Sequence, residues 1–405
     1  MRFARVLPLL CASAVLATTF SPVTTSAADT SPIKIAVITD MTGVYSGLSG
    51  QGSVVATKMA VADFGGKVLG RPIEVEVFDH QNKADISEAK TREAFDGGAV
   101  LAMDLVNSAA AVAAAGVAKQ EHKLAIVTGA GSTVLTGANC NKYTYHYAYD
   151  TWALAHGTGA SIARSGLKTW YGIVPDYVFG KSMLTDFTNA ITPYGGKFIH
   201  ADTMPLGTTD FSSYMLAARN AKPQVLALLN AGADTVNSMK AAKEFGLDKE
   251  MKIAVGLLFL SDVDALPDVF AGSRITDSWY WNQDKASRAW ADRFTAQMGN
   301  GIRPTSVQAA DYSATTQWLK AVQAVGSTDA DKIVAYLDGR KFEDFYAHHA
   351  EWRARDHRVV HDMYVMDVLP KSEVQEPHAW MKVVETIPAA QAFKPASEST
   401  CDKTW

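Results

Sequence analysis

Ten histidines and three cysteines are the obvious places to look for chemistry in this 405-residue chain. No H-E-x-x-H, no C-x-x-C pair and no G-x-S-x-G elbow occurs, so none of the spacings that build a zinc site, a redox dithiol or an esterase nucleophile is present. His357 and His361 lie four apart and would share one side of a helix or a strand. Val359 and Val360 between them favour a strand, which makes the pair solvated polar positions on an edge rather than metal ligands. His348 and His349 are adjacent and point apart. No nucleophile, general base or cofactor loop can be assembled, so the sequence points away from an enzyme, and neither metal nor cofactor is expected.

A different chemistry is offered by Ile33 to Phe64. It reads as a buried strand (Ile33 to Thr39), a Gly/Ser/Thr-rich loop and a helix opening near Gly52 or Ser53. Strand, loop and helix make the first half of a βαβ unit, and such sheets bind ligands in the crevice beyond the carboxyl ends of their strands. The loop Asp40 to Gly52 therefore forms one candidate wall, with Tyr45 and Ser46 as contact groups. Gly43, Gly47, Gly50 and Gly52 either let the backbone approach a small molecule or serve only the loop's own geometry. The spacing is G-x-x-G-x-G with no Walker lysine after it, which argues against a nucleotide.

The elements that position this loop follow by alternation. Strands are predicted at Ile73 to Phe78, Ala99 to Met103 and Leu124 to Thr128, with helices at Ala84 to Phe95 and Ala109 to Gln120. A second round follows Tyr149-Asp150: helices at Thr151 to Arg164, Gly180 to Ile191, Phe211 to Asn220 and Asp234 to Phe245, and strands at Trp170 to Val174, Lys197 to Asp202, Val225 to Leu229 and Lys252 to Val255. Two such rounds predict two α/β domains, each a doubly wound parallel sheet covered on both faces. Helices Lys285 to Met298, Ser306 to Val325 and Asp329 to Leu337 should return to the first domain. Val359 to Val368 alternates like one strand, and the tail to Trp405 reads as irregular.

Arg2 and Arg5, an apolar run from Val6 to Phe20 and small residues at Thr25 to Ala28 form a secretory signal peptide, residues 1–28. Cys11 follows Leu10, which does not suit lipoprotein processing, so a released soluble protein is expected. No later run is long enough to span a membrane. Loss of Arg2 and Arg5 takes the basic residues from 38 to 36 against 42 acids, which argues against nucleic acid or an anionic membrane as partner. Of the cysteines, Cys140 and Cys401 remain, and an exported protein with two predicts one disulfide, the alternative being two free thiols.

The order of these pieces resembles the leucine/isoleucine/valine-binding family of type I periplasmic solute-binding proteins, which serve ATP-driven importers. The resemblance rests on TDMTGVYSGLSGQG, VFDHQN, NSAAAVAAAG, VTGAGSTVLTG, VPDYVFG, the long segment TTDFSSYMLAARNAKPQVLALLNAGADTVNSMKAAKEFGL, and ARDHRVVHDMYV. It implies a Venus-flytrap of two lobes joined by a three-strand hinge, with crossovers near Tyr149-Asp150, near Trp281 and within residues 340–360. The first lobe would comprise residues 29–149 plus 282–345, the second 150–281 plus 346–385, and residues 386–405 a tail tied back by Cys401. The partners implied are a small-molecule carboxylate and the membrane permease subunits of an ABC importer, with the protein acting as a monomer.

The family's ligand contacts map onto this chain one at a time. The carboxylate grip falls on Ser108, with Asn107 before it, and on Gly129, Ala130, Gly131 and Ser132. Free backbone N–H groups and hydroxyls near a helix N-terminus suit an anionic oxygen, although Ser108 could equally be an N-cap. The closing aromatic corresponds to Phe179, with Tyr177 two residues earlier. Asn230 and Ala231 occupy a loop where amino-acid binders carry a tyrosine, and Leu258 falls where they carry the carboxylate that pairs with an α-ammonium. Leu258, Ala231 and Phe259 would thus widen and dry the site, favouring an aromatic or aliphatic organic acid. Tyr149 and Trp281, with Trp152, Trp279 and Tyr280, could stack on it or pack in the core. Asp176, Asp234 or Asp262 would restore an ammonium partner, which keeps an amino acid as the alternative; a ligand-sensing partner of a membrane receptor is a further one.

Overall fold

The computed structural model describes residues 1–4 and 30–405, so all but the first four residues of the expected signal peptide lie outside the described residues. No described helix is long and apolar enough to cross a membrane. Two parallel sheets dominate. In the first, the strands lie edge to edge as Lys67–Val68, Arg71–Asp79, Ile33–Thr39, Ala99–Asp104, Leu124–Val127 and Thr144–His146. All pair parallel except Lys67–Val68, which turns back on Arg71–Asp79. In the second, the order is Lys252–Val255, Val225–Leu228, Thr169–Pro175 and Lys197–Met204, all parallel.

The central strands are continuous apolar runs because helices cover both faces. Leu124–Val127 and Val225–Leu228 are buried at every residue. On the first sheet the helix Ser108–Glu121 is rich in alanine, which lets it lie close to its neighbour: Ser87 in helix Ala84–Asp96 donates to the Ala110 carbonyl at 2.9 Å. The late helices do return to this lobe. Thr305 and Gln308 form a capping box at the start of Ser306–Val325. The same two side chains reach the Leu48 carbonyl at 2.6 Å and the Ser49 carbonyl at 3.3 Å. Arg293, in Lys285–Met298, pairs with Asp63 at 2.6 Å.

Several details depart from the sequence-based expectations. The helix starting at Thr151 has a π turn at Ala155–Gly159, where a Cβ on Gly157 would fall 2.2 Å from the Thr276 hydroxyl. Close packing of helix on strand accounts for that glycine. The single strand expected from Val359 to Val368 is two, Val359–Val360 and Met363–Val368, in different sheets. The tail is not wholly irregular: Met381–Ile387 pairs antiparallel with Met363–Val368, which also pairs with Arg274–Asp277. Met381–Ile387 buries only Met381, so an edge strand facing water carried little apolar signal.

Residues 346–360, expected with the second lobe, lie instead against the first. Ala350–Trp352 pairs with Lys341–Phe342 and with Val359–Val360. Trp352 and His357 pack on Tyr145 with ring centroids 4.9 and 4.2 Å away. His357 and His361 are fully buried rather than solvated. His361 Nε2 meets the Tyr147 and Ala148 carbonyls at 3.1 and 2.9 Å, and Arg358 bonds the Ala148 and Tyr149 carbonyls beside it. Segment 357–362 thus runs alongside 146–150, where the chain leaves the first sheet. Cys140 and Cys401 form a disulfide of 2.05 Å.

Candidate ligand-binding cleft

The carboxyl ends of the two parallel sheets face each other, and the loops that leave them close on a cavity of about 10 Å³, room for about one water. It is lined by Tyr45, Leu48, Val106, Gly129, Gly131, Tyr149, Tyr177, Phe179, Ala231, Leu257 and Phe259. None of these side chains is charged. The Tyr45 and Tyr177 hydroxyls meet at 2.5 Å across the cleft. Ser132 and Ser182 meet at 2.6 Å, and the Ala233 N–H donates to the Val44 carbonyl at 3.2 Å. These contacts describe a closed cleft, with side chains of one lobe bonded to those of the other.

The first loop contributes Tyr45 and Leu48, while Gly43, Gly50 and Gly52 serve the protein's own geometry. A Cβ at Gly43 would fall 2.7 Å from the Asp40 carboxylate, and one at Gly52 would fall 2.1 Å from Gln308. Gly50 has φ +47, which favours glycine. Ser46 turns back onto the Gly43 carbonyl at 2.8 Å.

At the third and fourth loops, Asn107 is the N-cap, accepting from the N–H groups of Ala109 and Ala110. Ser108 is the first helical residue rather than the cap. Its Oγ accepts the Ser132 N–H at 3.3 Å, and its own hydroxyl hydrogen remains to be donated. The Ala130 carbonyl is engaged by His146 Nε2 at 2.6 Å, so Ala130 braces the loop from behind while Gly129 and Gly131 face the cavity. A Cβ on Gly131 would sit 3.0 Å from the Tyr149 ring and 3.2 Å from Phe179. Tyr149 donates to the Gly129 carbonyl at 2.5 Å.

Behind these loops lies a buried acid pair. Asp104 has φ +71, and its carbonyl accepts the N–H groups of Thr128 and Gly129 at 3.1 Å. Its carboxylate accepts from Ser49, and Asp311 accepts from Thr128 at 2.5 Å. Burial pushes the Asp104 carboxyl up to about 7 and raises Asp311 well above its ordinary range. Through Ser49 and Thr128 these two carboxyls connect the first, third and fourth loops.

On the second lobe Asn230 is scaffold: it bonds the Ser238 hydroxyl at 3.1 Å and accepts from Thr235 at 3.0 Å. Ala231 lines the cavity. Leu258 is buried, but Leu257 and Phe259 face the cavity. In an extended segment alternate residues share a side, so the sequence mapping was one residue off. Trp281 is not in the cleft: it stacks under Arg303 and Arg288 at 4.3 and 4.9 Å and donates to the His378 carbonyl at 3.1 Å. Leu48, Val106 and Leu257 were missed because an apolar residue beside a loop looks like any core residue.

Of the three alternative ammonium partners, Asp176 is exposed and pairs with Lys181 at 3.4 Å. Asp262 accepts the Phe259 N–H at 3.0 Å, and burial raises its carboxyl to about 7. Asp234 is 1% exposed. Its Oδ2 accepts the Gly207 N–H at 3.1 Å.

Two α/β lobes closing over a cavity at their strand ends define a Venus-flytrap binding protein. A family model described as "Periplasmic binding protein" matches residues 32–373, and the chain belongs to that family, within the type I, leucine/isoleucine/valine-binding group. It is similar to a crystal structure of a periplasmic binding protein from Burkholderia mallei, at 50% identity and TM-score 0.89, covering 92% of this chain and 98% of that one. A branched-chain amino acid ABC transporter periplasmic ligand-binding protein from Burkholderia xenovorans LB400 is 37% identical with TM-score 0.81, covering 91% and 99%. The Leu/Ile/Val-binding protein homolog 6 of Brucella melitensis is 26% identical over 330 residues, 78% of this chain and 83% of its own length. The protein is therefore a periplasmic solute-binding component of ABC transport, not an enzyme.

Proposed function

We propose that the protein captures a small carboxylate with an aromatic or aliphatic body and hands it to an ABC permease. The signal peptide, residues 1–28, is cleaved on export, and the mature chain acts as a soluble monomer. One observation carries the ligand class: the cavity lining has no charged side chain of either sign, while five aromatic rings, those of Tyr45, Tyr149, Tyr177, Phe179 and Phe259, surround it. An acid can be held there by a neutral donor, the Ser108 hydroxyl beside the Gly129–Gly131 loop, without a cation. An α-ammonium would have no carboxylate on the lining, and a desolvated charge left unpaired costs several kcal/mol.

The closed cleft leaves about 10 Å³ of free space, room for about one water, so the lobes must part for a ligand to enter. Ligand bridging both lobes stabilises the closed state, and its release at the permease follows reopening. The test is a thermal-shift screen of mature protein against amino acids and their deaminated counterparts, since ligand that binds only the native state raises Tm. Stabilisation by phenylacetate- or short-chain-acid-type compounds and not by amino acids is expected. A larger shift with leucine, valine or phenylalanine would transfer the site to the amino-acid alternative.

A further inference from the structure

The chain ends with a passage back across the hinge. Residues 378–387 belong to the second lobe. His378 and Trp380 both bond Asp264, in helix Leu260–Ala265, the former at 2.9 Å. Met381–Ile387 pairs with Met363–Val368, whose other neighbour, Arg274–Asp277, meets the helical segment after Thr151 through Thr276 and Thr158 at 3.0 Å. Residues 388–400 then return to the first lobe, where Cys401 is bonded to Cys140, just before strand Thr144–His146 of the first sheet. The lobes are thus joined once more beyond the hinge crossovers, and this last passage is closed by a disulfide instead of a peptide.

The returning segment is held along its course. The Ala389 N–H donates to Asp362 at 2.8 Å. Phe393 is buried, its ring centroid 4.1 Å from the Arg358 guanidinium and 5.2 Å from the His361 ring. Those two side chains bond the carbonyls of Tyr147, Ala148 and Tyr149, so Phe393 covers the seam between segments 357–362 and 146–150. Arg353 donates to the Lys394 carbonyl at 2.9 Å, and Ser399 to the Thr136 carbonyl at 3.4 Å. Cys140 lies on the continuation of the loop that carries Gly129 and Gly131. Across the cleft, Ser132 and Thr133 of that loop meet Ser182 and Asp186 of helix Val178–Ile191 at 2.6 and 3.0 Å.

We infer that residues 388–401 form a strap that limits how far the lobes can part. Opening turns the second lobe, and Ile387 with it, away from the loop that holds Cys140. With the far end covalently fixed, that displacement must be absorbed within residues 388–400. Phe393 then has to leave the seam, and the Ala389 and Lys394 bonds have to break. Without the disulfide the far end is free to follow, and none of those contacts need be lost.

Small-angle scattering of unliganded mature protein tests this, and leaving ligand out makes the result independent of which ligand the cleft takes. Wild type is compared with wild type reduced by a phosphine and with the Cys140→Ser/Cys401→Ser double variant. Both bond-free forms should shift to a larger radius of gyration than oxidised wild type while keeping its far-UV circular dichroism and a cooperative melt. Phe393→Ala keeps the bond but removes the side chain that opening must dislodge, and its radius should fall between the two. Equal radii for oxidised and bond-free protein overturn the inference and leave the disulfide a staple of the folded state alone. If the bond-free forms fail to fold, Phe393→Ala decides: a radius unchanged from wild type overturns the strap, and a larger one with the melt still cooperative supports it.

Discussion

Gly232 is where the closed state is most open to attack. Its backbone is at φ +59, ψ −137, a combination that side chains other than hydrogen rarely adopt, at a cost of about 1–3 kcal/mol. That strain is local to residue 232 and does not depend on the first lobe. The second penalty belongs to closure alone: a Cβ there would fall 2.4 Å from the carbonyl oxygen of Val44, across the cleft. Backbone cannot rotate aside as a side-chain tip can, so the first-lobe loop must retreat by several tenths of an ångström. The Ala233–Val44 hydrogen bond, already 3.2 Å, is then lost, and the Tyr45–Tyr177 contact loosens. Losing one such bond removes about 1 kcal/mol, and the overlap itself adds to that. Gly232→Ala should lower Tm modestly and weaken ligand binding by about tenfold, since 1.4 kcal/mol is a factor of ten. Small-angle scattering of ligand-saturated protein should show a larger radius of gyration than wild type. Affinity within twofold of wild type, together with an unchanged scattering curve, would refute the claim that ligand is held in this closed arrangement.

Other expectations follow from the same geometry. Ser108→Ala should weaken acid binding by about 1–2 kcal/mol with little change in Tm, and unchanged affinity would remove that hydroxyl from the grip. Cys140→Ser should lower Tm: the bridge spans 261 residues, for which loop-closure entropy sets a ceiling of about 5 kcal/mol, and thiol titration of the native exported protein should find no free groups. The raised Asp104 and Asp311 carboxyls hold protons that the unfolded chain releases near pH 4, so their contribution is full below about pH 4 and is lost as pH rises from there, for Asp104 by about pH 7. Buried His80 and His361, both lowered to about 4 by burial, act in the opposite sense and only as pH falls below about 6.5. The Tm difference between wild type and Asp311→Asn, in which the histidine contributions cancel, should therefore shrink as pH rises from about 4 to about 7; a constant difference would dissociate the pair from the pH dependence.

The sequence by itself determined the alternation of strands and helices, because a strand covered on both faces must be apolar throughout and the helix that covers it must show period 3.6. It also indicated that Cys140 and Cys401 would pair. Which loop side chains face a common cavity was only partly legible. Tyr45, Tyr149, Tyr177 and Phe179 stand out as aromatics in loops or at element ends. Leu257 rather than Leu258 is a matter of one residue of register, fixed by how Val225–Leu228 and Lys252–Val255 align. Tertiary structure alone decided that Trp281 packs under two arginines instead of in the cleft, and that His357 and His361 are buried against residues 145–148 instead of on a solvated edge. It alone set the Asp104–Asp311 pair side by side and left one oxygen of Asp234 without a donor among the described residues. A carboxylate's partners come from segments hundreds of residues away, and no local pattern encodes a bond that is missing.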